Sequence, residues 1–115
     1  MKALSSSFWS LTVLAAGRRH GYQIMQETAS ASGGSVTLKP ITLYAALERL
    51  ERDGLVRSDG EEVVAGWVRR YFCLTDDGAR HLAAEAGVLE RSARAARQRL
   101  ELTWGRPVTA RWAVV

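Results

Sequence analysis

Apolar residues recur at helical spacing near the start of the chain. They form two neighbouring stripes, each with the i, i+3, i+4 pattern of an amphipathic helix. The stripes consist of Leu4, Phe8, Leu11 and Ala15, and of Trp9, Val13 and Ala16. This pattern predicts a helix over residues 2–16 that is buried on two sides, against its own core and against a second subunit. Gly17-Arg18-Arg19 ends the helix, because glycine permits the stop and the cations suit its last carbonyl groups.

Two further helices are predicted before residue 55. The second begins near His20 and carries apolar residues as far as Ala29, after which the run Ser30–Ser35 predicts a loop. The third begins at Pro40, because the missing N–H of proline costs nothing at the first helical position. It ends at Asp53-Gly54. The residues of this helix expected to point into the core are Leu43, Leu47 and Leu50.

After Gly54 the hydrophobic period changes to that of strands. Leu55–Arg57 is predicted as a short strand, and Trp67–Leu74, rich in aromatic and β-branched residues, as a second. The segment Gly60–Gly66 lies between them. We therefore expect a β-hairpin with a long tip bounded by glycines.

A long final helix is predicted after the hairpin. Thr75 is expected to cap it, and Asp76 and Asp77 oppose the helix dipole in its first turn. The apolar residues then fall in alternating steps of four and three, the seam of a two-helix packing. The seam residues are Leu82, Ala86, Leu89, Ala93, Ala96, Leu100 and Thr103. Gly105-Arg106-Pro107 ends the helix.

The order of these elements is typical of a winged helix-turn-helix domain of the α+β class. We assign residues 1–75 to this DNA-binding domain, 76–104 to a C-terminal dimerisation helix and 105–115 to a tail. In helix-turn-helix proteins the second helix of the pair enters the DNA major groove, with its N-terminal residues against base edges. Here that helix begins at Pro40. Arg69 and Arg70 of the hairpin are expected to lie beside it and to reach phosphate.

Composition and charge permit a nucleic-acid partner. The 115 residues suit one domain, and 16 Lys and Arg against 12 Asp and Glu give a net charge of +4 and a pI near 9.8. All but Lys2 and Lys39 of these cations are arginines, whose planar fork suits phosphate and guanine edges.

Several other classes of protein are excluded. No run approaches the roughly 18 apolar residues of a membrane span. Cys73 is the only cysteine, so no internal disulfide forms and a reducing cytoplasm is the expected setting. His20 and His81 have no second ligand at metal spacing, and no serine nucleophile or phosphate-binding loop is present. We expect no enzyme activity, no cofactor and no metal.

Three motifs resemble those of PadR-type transcriptional regulators. Gly17–Tyr22 resembles the family element GPLHGY, Thr42–Leu55 resembles the recognition helix TLYPALRRLEEEGL, and Arg69–Gly78 resembles the strand and cap RKYYRLTEEG. They cover residues 4–85 at the family's spacing. The resemblance implies a homodimeric DNA-binding repressor, often released by a small apolar or aromatic effector. By position, it implies that Thr42, Tyr44, Arg69 and Arg70 contact DNA.

The chain departs from the family pattern at the start of the recognition helix. Lys39-Pro40-Ile41 stands where Ser-Pro-Gly is usual, so the side-chain N-cap is lost and a cation and an apolar group are gained. We expect base preference to differ as a result. Ala45 replaces a common second proline, and Glu61 and Glu62 argue against deep insertion of the hairpin tip into DNA. The full candidate DNA surface is Lys39, Pro40, Ile41, Thr42, Tyr44, Ala45, Arg69 and Arg70.

The roles of some arginines stay open at this point. Arg49 and Arg52 lie near acidic residues and fit a solvated, ion-paired face better than a DNA contact. Arg18 and Arg19 fit phosphate binding or a helix end equally well. Tyr44 fits either the edge of the core or DNA.

Four tryptophans in so short a chain suggest more than core packing. Trp67 is expected to pack on the hairpin sheet. An aromatic slot between subunits is predicted, with indole faces for a planar ligand, and ordinary interface packing is the alternative. The slot residues are Phe8, Trp9, Leu100 and Trp104. They also support a second hypothesis, a dimeric ligand-binding module with little DNA binding.

Overall fold

The computed structural model describes residues 4–105 and has the α+β class expected from the sequence. Its elements in chain order are α1 (Ser6–Leu14), β1 (Arg19–His20), α2 (Gly21–Ala31), α3 (Pro40–Arg52), β2 (Val56–Val64), β3 (Trp67–Leu74) and α4 (Asp76–Trp104). The boundary between two compact units falls inside α4, between Leu82 and Ala83. Most of the predicted tail, residues 106–115, lies outside the described residues.

Helix α1 begins later than its hydrophobic pattern predicts. The hydroxyl of Ser5 accepts the Phe8 N–H at 3.1 Å, and Ser5 itself is extended, so the helix starts at Ser6. A polar cap thus overrides the apolar spacing at this end. The helix ends at Leu14, before Gly17 with its φ of 132°.

Helix α2 runs two residues further than predicted, to Ala31. Two left-handed glycines follow it, and the N–H of Gly34 reaches back to the Ala29 carbonyl at 2.8 Å. The serine run therefore begins inside the helix, and only its later part is a loop. Helix α3 begins at Pro40 as predicted. Its inward residues are confirmed as buried: Leu43, Leu47 and Leu50.

The sheet has three antiparallel strands in the order β1-β3-β2, rather than the two predicted. Strand β1 pairs Arg19 and His20 with the middle of β3. Strand β2 is much longer than predicted, because Asp59 and Gly60 form a bulge that absorbs a register shift and pairing then resumes. The hairpin turn is only Ala65-Gly66, with φ values of 53° and 82° that fit a type I′ turn. The expected long tip is wrong.

The core of the first unit lies between helices α1, α2 and α3 and one face of the sheet. Phe72 supplies the sheet's largest fully buried side chain. The buried apolar cluster is Leu11, Val13, Leu14, Ile24, Leu38, Leu43, Leu47, Leu50, Val56 and Phe72. Leu82 of α4 packs against it, half-buried.

Helix α4 begins with the predicted cap. The Thr75 hydroxyl accepts the Gly78 N–H at 2.9 Å and donates to the Gly54 carbonyl at 2.7 Å. Further along, much of the predicted seam is exposed in this single chain: Leu89, Ala93, Ala96, Leu100 and Thr103. The two-helix packing stays a prediction. Within residues 4–105, no helix combines the length and apolar character that crossing a membrane requires.

Candidate nucleic-acid interface

The leading end of α3 exposes one side to solvent. Ile41 is 86% exposed and Tyr44 41% exposed, whereas Leu43 and Ala46 on the opposite side are fully buried. Helical periodicity produces this division, because residues at i, i+3, i+4 and i+7 lie on one side of the helix and pack into the core, while the residues between them face solvent. All the predicted recognition residues of the helix lie on the exposed side: Lys39, Pro40, Ile41, Thr42, Tyr44 and Ala45.

The electrostatics of this end favour an anion. Lys39 occupies the N-cap position but makes no side-chain cap hydrogen bond, as predicted, and the first turn holds no acidic residue. The positive end of the helix dipole therefore adds to the positive charge of the exposed Lys39. Such a helix end suits a phosphate group.

Tyr44 is held in place by a close approach of α2. A Cβ on Gly21 would overlap the Tyr44 hydroxyl and lie 3.0 Å from its Cζ atom. The glycine of the His20-Gly21-Tyr22 motif thus leaves room for the phenol ring. Tyr44 both packs on the edge of the core and remains partly exposed, so its two predicted roles are compatible.

Arg69 and Arg70 are both exposed but point to opposite faces of the sheet, because side chains alternate along a strand. The Arg70 guanidinium lies 5.2 Å from the ring centroid of buried Phe72 and donates to the Ser58 hydroxyl at 3.2 Å. Ser58 in turn donates to Glu51 of α3 at 2.9 Å. Arg70 is therefore joined to the α3 side of the molecule.

Arg69 occupies the other face of β3. In the register of the hairpin it lies opposite Glu62, whose carboxylate accepts a hydrogen bond from the Tyr71 hydroxyl on the same face of the sheet. The sequence grouped Arg69 with Arg70 in one surface, and the structure does not bring them together. A DNA contact by Arg69 stays a prediction without this geometric support.

Arg18 and Arg19 are engaged within the chain. Arg18 forms a 3.1 Å ion pair with Asp59, and its guanidinium lies 3.8 Å from the centroid of the Tyr71 ring. Arg19 donates to Glu27 at 2.7 Å. The bulge in β2 presents Asp59 to Arg18, so the pair connects the α1–α2 link with the hairpin. These contacts favour a structural role for both arginines.

Arg49 and Arg52 are exposed on α3, as expected of a solvated face. Arg49 donates to the Ser7 hydroxyl of α1 at 3.2 Å. Within residues 4–105, no salt bridge joins either arginine to a carboxylate, so the predicted ion pairing is not seen.

His20 has a structural role that the sequence did not reveal. Its Nδ1 accepts the Gln23 N–H at 3.4 Å, and the Gln23 side chain accepts the His20 N–H at 3.0 Å, which together form a capping box for α2. The ring also meets Tyr71 edge to face at 5.4 Å. Burial lowers the pKa of His20, Arg69 lowers it further, and Glu62 partly opposes them. A glutamine three residues after His20 was the available signal.

Comparison with known proteins identifies the family. A model described as the transcriptional regulator PadR-like family matches residues 11–84, well over half of the chain. The chain belongs to the PadR-like family. A Lysinibacillus sphaericus protein described as uncharacterized is 34% identical over 64 residues, which are 56% of this chain and 59% of that protein. The match therefore spans less than two thirds of that relative.

Solved PadR structures share the fold of this PadR-like chain. A PadR family transcription regulator from Clostridium difficile has a TM-score of 0.69 and 26% identity, with 83% of this chain and 97% of that one covered. Bacillus subtilis PadR in complex with operator DNA has a TM-score of 0.63 and 21% identity, with 70% and 46% covered. These relatives support the winged-helix fold.

The predicted effector residues of this PadR-like chain fall in two different units. Phe8 and Trp9, in the first unit, are half-buried and meet edge to face at 5.6 Å, and the indole Nε1 of Trp9 is buried with no partner among the described residues. Leu100 and Trp104, in the second, are exposed. The slot between subunits stays a prediction. Trp67 is 77% exposed, so its expected packing on the sheet is wrong.

Proposed function

We propose that this PadR-like chain is a cytoplasmic, homodimeric repressor that binds a pseudo-palindromic DNA operator. The observation that carries this proposal is the exposed leading end of α3, where Ile41, Thr42 and Tyr44 are accessible to solvent. A helix presented in this way suits the major groove. The DNA complex of Bacillus subtilis PadR, a protein of the same fold, supports the choice of ligand.

Dimer formation through α4 is part of the proposal. Several large apolar side chains of this helix are exposed in the single chain: Val88, Leu89, Leu100, Leu102 and Trp104. Exposed apolar surface of this kind is typical of a protein interface. In a twofold dimer the two α3 helices would meet successive major grooves about 34 Å apart. A pseudo-palindromic operator matches that symmetry.

The charges around α3 indicate how DNA would be held. Lys39 at the start of α3 and Arg70 on the hairpin would contact phosphate, which gives affinity and orientation without reading sequence. Glu61 and Glu62 are exposed on the hairpin and would be repelled by phosphate. The hairpin would therefore lie along the backbone rather than insert its tip.

Release by an effector completes the proposal. Phe8 and Trp9 of one protomer and Leu100 and Trp104 of its partner would form a slot for a planar apolar molecule. The half-buried rings of Phe8 and Trp9 and the exposed side chains of Leu100 and Trp104 support this, because they leave apolar surface for such a ligand. Quenching of indole fluorescence with loss of DNA affinity is the expected signature. Quenching without any effect on DNA affinity favours the ligand-binding module instead.

The test is a fluorescence anisotropy titration with the DNA that flanks the protein's own gene. Binding should weaken steeply with salt, and Tyr44→Ala should weaken it at every salt concentration. A plot of log affinity against log salt concentration has a negative slope. Arg70→Ala should make this slope less steep by about 0.9 for each phosphate that the arginine neutralises. Absent or salt-insensitive binding would refute the proposal.

Arg69→Ala is the matched comparison, because it removes the same charge from the neighbouring residue on the opposite face. We expect a smaller change in the salt slope than for Arg70→Ala. An equal or larger change would show that the surface facing DNA has been assigned to the wrong side of the sheet.

A further inference from the structure

Ile41 is an apolar side chain in an unexpected place. It is 86% exposed at the second residue of α3, whereas the core leucines of the same helix are at most 4% exposed. A β-branched residue also has a lower helix propensity than alanine. Neither burial nor local helix stability accounts for isoleucine at this position, and its whole apolar end is accessible to a binding partner.

The surroundings of Ile41 narrow the choice of partner. Lys39 precedes it, Thr42 follows it, and the positive end of the helix dipole lies beside it. A partner that covers this surface must be anionic at its edge and apolar at one point. Duplex DNA has this combination, because phosphates border a groove in which thymine bears a methyl group.

We propose that Ile41 selects thymine in the operator by apolar contact with its C5-methyl group. This inference rests on the proposed DNA-binding function and adds a base to it. Thymine is the only one of the four bases that displays a methyl group in the major groove. Isoleucine has no donor or acceptor, so against guanine or cytosine it would leave polar groups desolvated and unpaired.

Two base substitutions distinguish the loss of the methyl contact from the loss of hydrogen bonding: thymine to uracil, and T·A to C·G. Uracil keeps the pairing and the O4 acceptor of thymine and lacks only the methyl group, so replacing the contacted thymine should cost about fourfold in affinity per half-site. Cytosine lacks the methyl and presents an amino donor in place of O4. A change of the whole pair from T·A to C·G should therefore cost more than the change to uracil.

The experiment uses duplexes that the full-length protein selects from a random-sequence pool. Each thymine of one half-site is replaced singly by uracil, and affinities are compared by fluorescence anisotropy at one salt concentration. We expect one thymine position to depend on the methyl group. With Ile41→Ala, the ratio of thymine to uracil affinity at that position should fall to about one.

The variants are chosen so that folding does not obscure the result. Ile41 is on the surface and alanine is the better helix former, so Ile41→Ala should fold normally. Ile41→Val keeps a branched apolar end and should keep most of the methyl dependence. Arg52→Ala is the matched control, because Arg52 is also exposed on α3 but lies at the opposite end of the helix. It should leave the thymine to uracil ratio unchanged.

The outcomes distinguish this inference from the proposed function. If duplexes bind but no thymine depends on its methyl group, or if the dependence survives in Ile41→Ala, the inference is wrong and DNA binding stands. If no duplex is selected or bound at low salt, both are wrong.

Discussion

Gly78 decides whether the start of α4 can pack closely against Leu55 within the first unit. It is buried in the first turn of the helix, and a Cβ there would overlap the Leu55 carbonyl oxygen outright. The same Cβ would lie 2.8 Å from Leu74 Cδ1 and 3.0 Å from the Leu55 carbonyl carbon. The obstruction is backbone, so a side-chain rotation does not relieve it. We predict that Gly78→Ala destabilises the protein, although alanine is the better helix former.

The expected magnitude follows from the contacts at stake. The helix would have to move away from Leu55, which strains the Thr75 N–H bond to the Leu55 carbonyl (3.1 Å) and the Thr75 hydroxyl bond to the Gly54 carbonyl (2.7 Å). Overpacking costs about 1–3 kcal/mol, two weakened hydrogen bonds add about 2 kcal/mol, and alanine's helix propensity offsets about 1 kcal/mol. The free energy of unfolding should therefore fall by about 2–4 kcal/mol.

Urea unfolding followed by far-UV circular dichroism, at one protein concentration, measures this change. Gly87→Ala is the control in the same helix. Its added Cβ would meet only the Arg91 guanidinium, at 3.2 Å, which is the mobile end of an exposed side chain. We expect Gly87→Ala to stabilise the protein by about 0.5–1 kcal/mol.

The prediction for Gly78→Ala is refuted if this variant is as stable as the parent chain or more stable. It is also refuted if both substitutions destabilise equally, because the cause would then be common to the helix and not the contact with Leu55.

Two further predictions concern residues at the start of α2. Gly21→Ala should force the Tyr44 ring to rotate and so lower DNA affinity severalfold. The free energy of unfolding in urea should change by less than about 1 kcal/mol. If the ring is displaced and DNA affinity is unchanged, the proposed role of Tyr44 is wrong. The pKa of His20 in the folded protein is below its ordinary value of 6.5, so on acidification the unfolded chain binds the proton first. The free energy of unfolding should therefore fall as the pH drops below about 6.5, and level off once the pH is below the folded pKa. His20→Asn, which keeps a neutral cap, should flatten urea midpoints over this range; parallel pH profiles would contradict this.

The elements predicted well from the sequence are those with local determinants. Pro40 marks the start of α3, and the spacing of Leu43, Leu47 and Leu50 determines its buried face. The Thr75 cap and the aromatic strand Trp67–Leu74 were predictable for the same reason. The exposed recognition surface follows from the buried stripe, because residues between the inward leucines must face outward.

Elements that depend on distant partners were missed. Strand β1 has only two residues, and it exists because Arg19 and His20 pair with Phe72 and Tyr71, far along the chain. The polar stretch around Glu61 carries no strand signal of its own. It becomes part of β2 because the bulge at Asp59 and Gly60 restores its register with β3.

The α+β class, the order of the four helices and the hairpin, and the face of α3 that meets the core were determined by the sequence itself, through caps and hydrophobic period. Only the tertiary structure decided which side of the sheet faces α3, and so separated Arg70 from its neighbour Arg69. It also decided that Gly21 and Gly78 are sites of close approach. The physical reason is that hydrophobic period and helix capping act between residues a few positions apart. Strand register, the face of the sheet on which a side chain lies, and the space around a glycine depend on groups that are brought together only by folding.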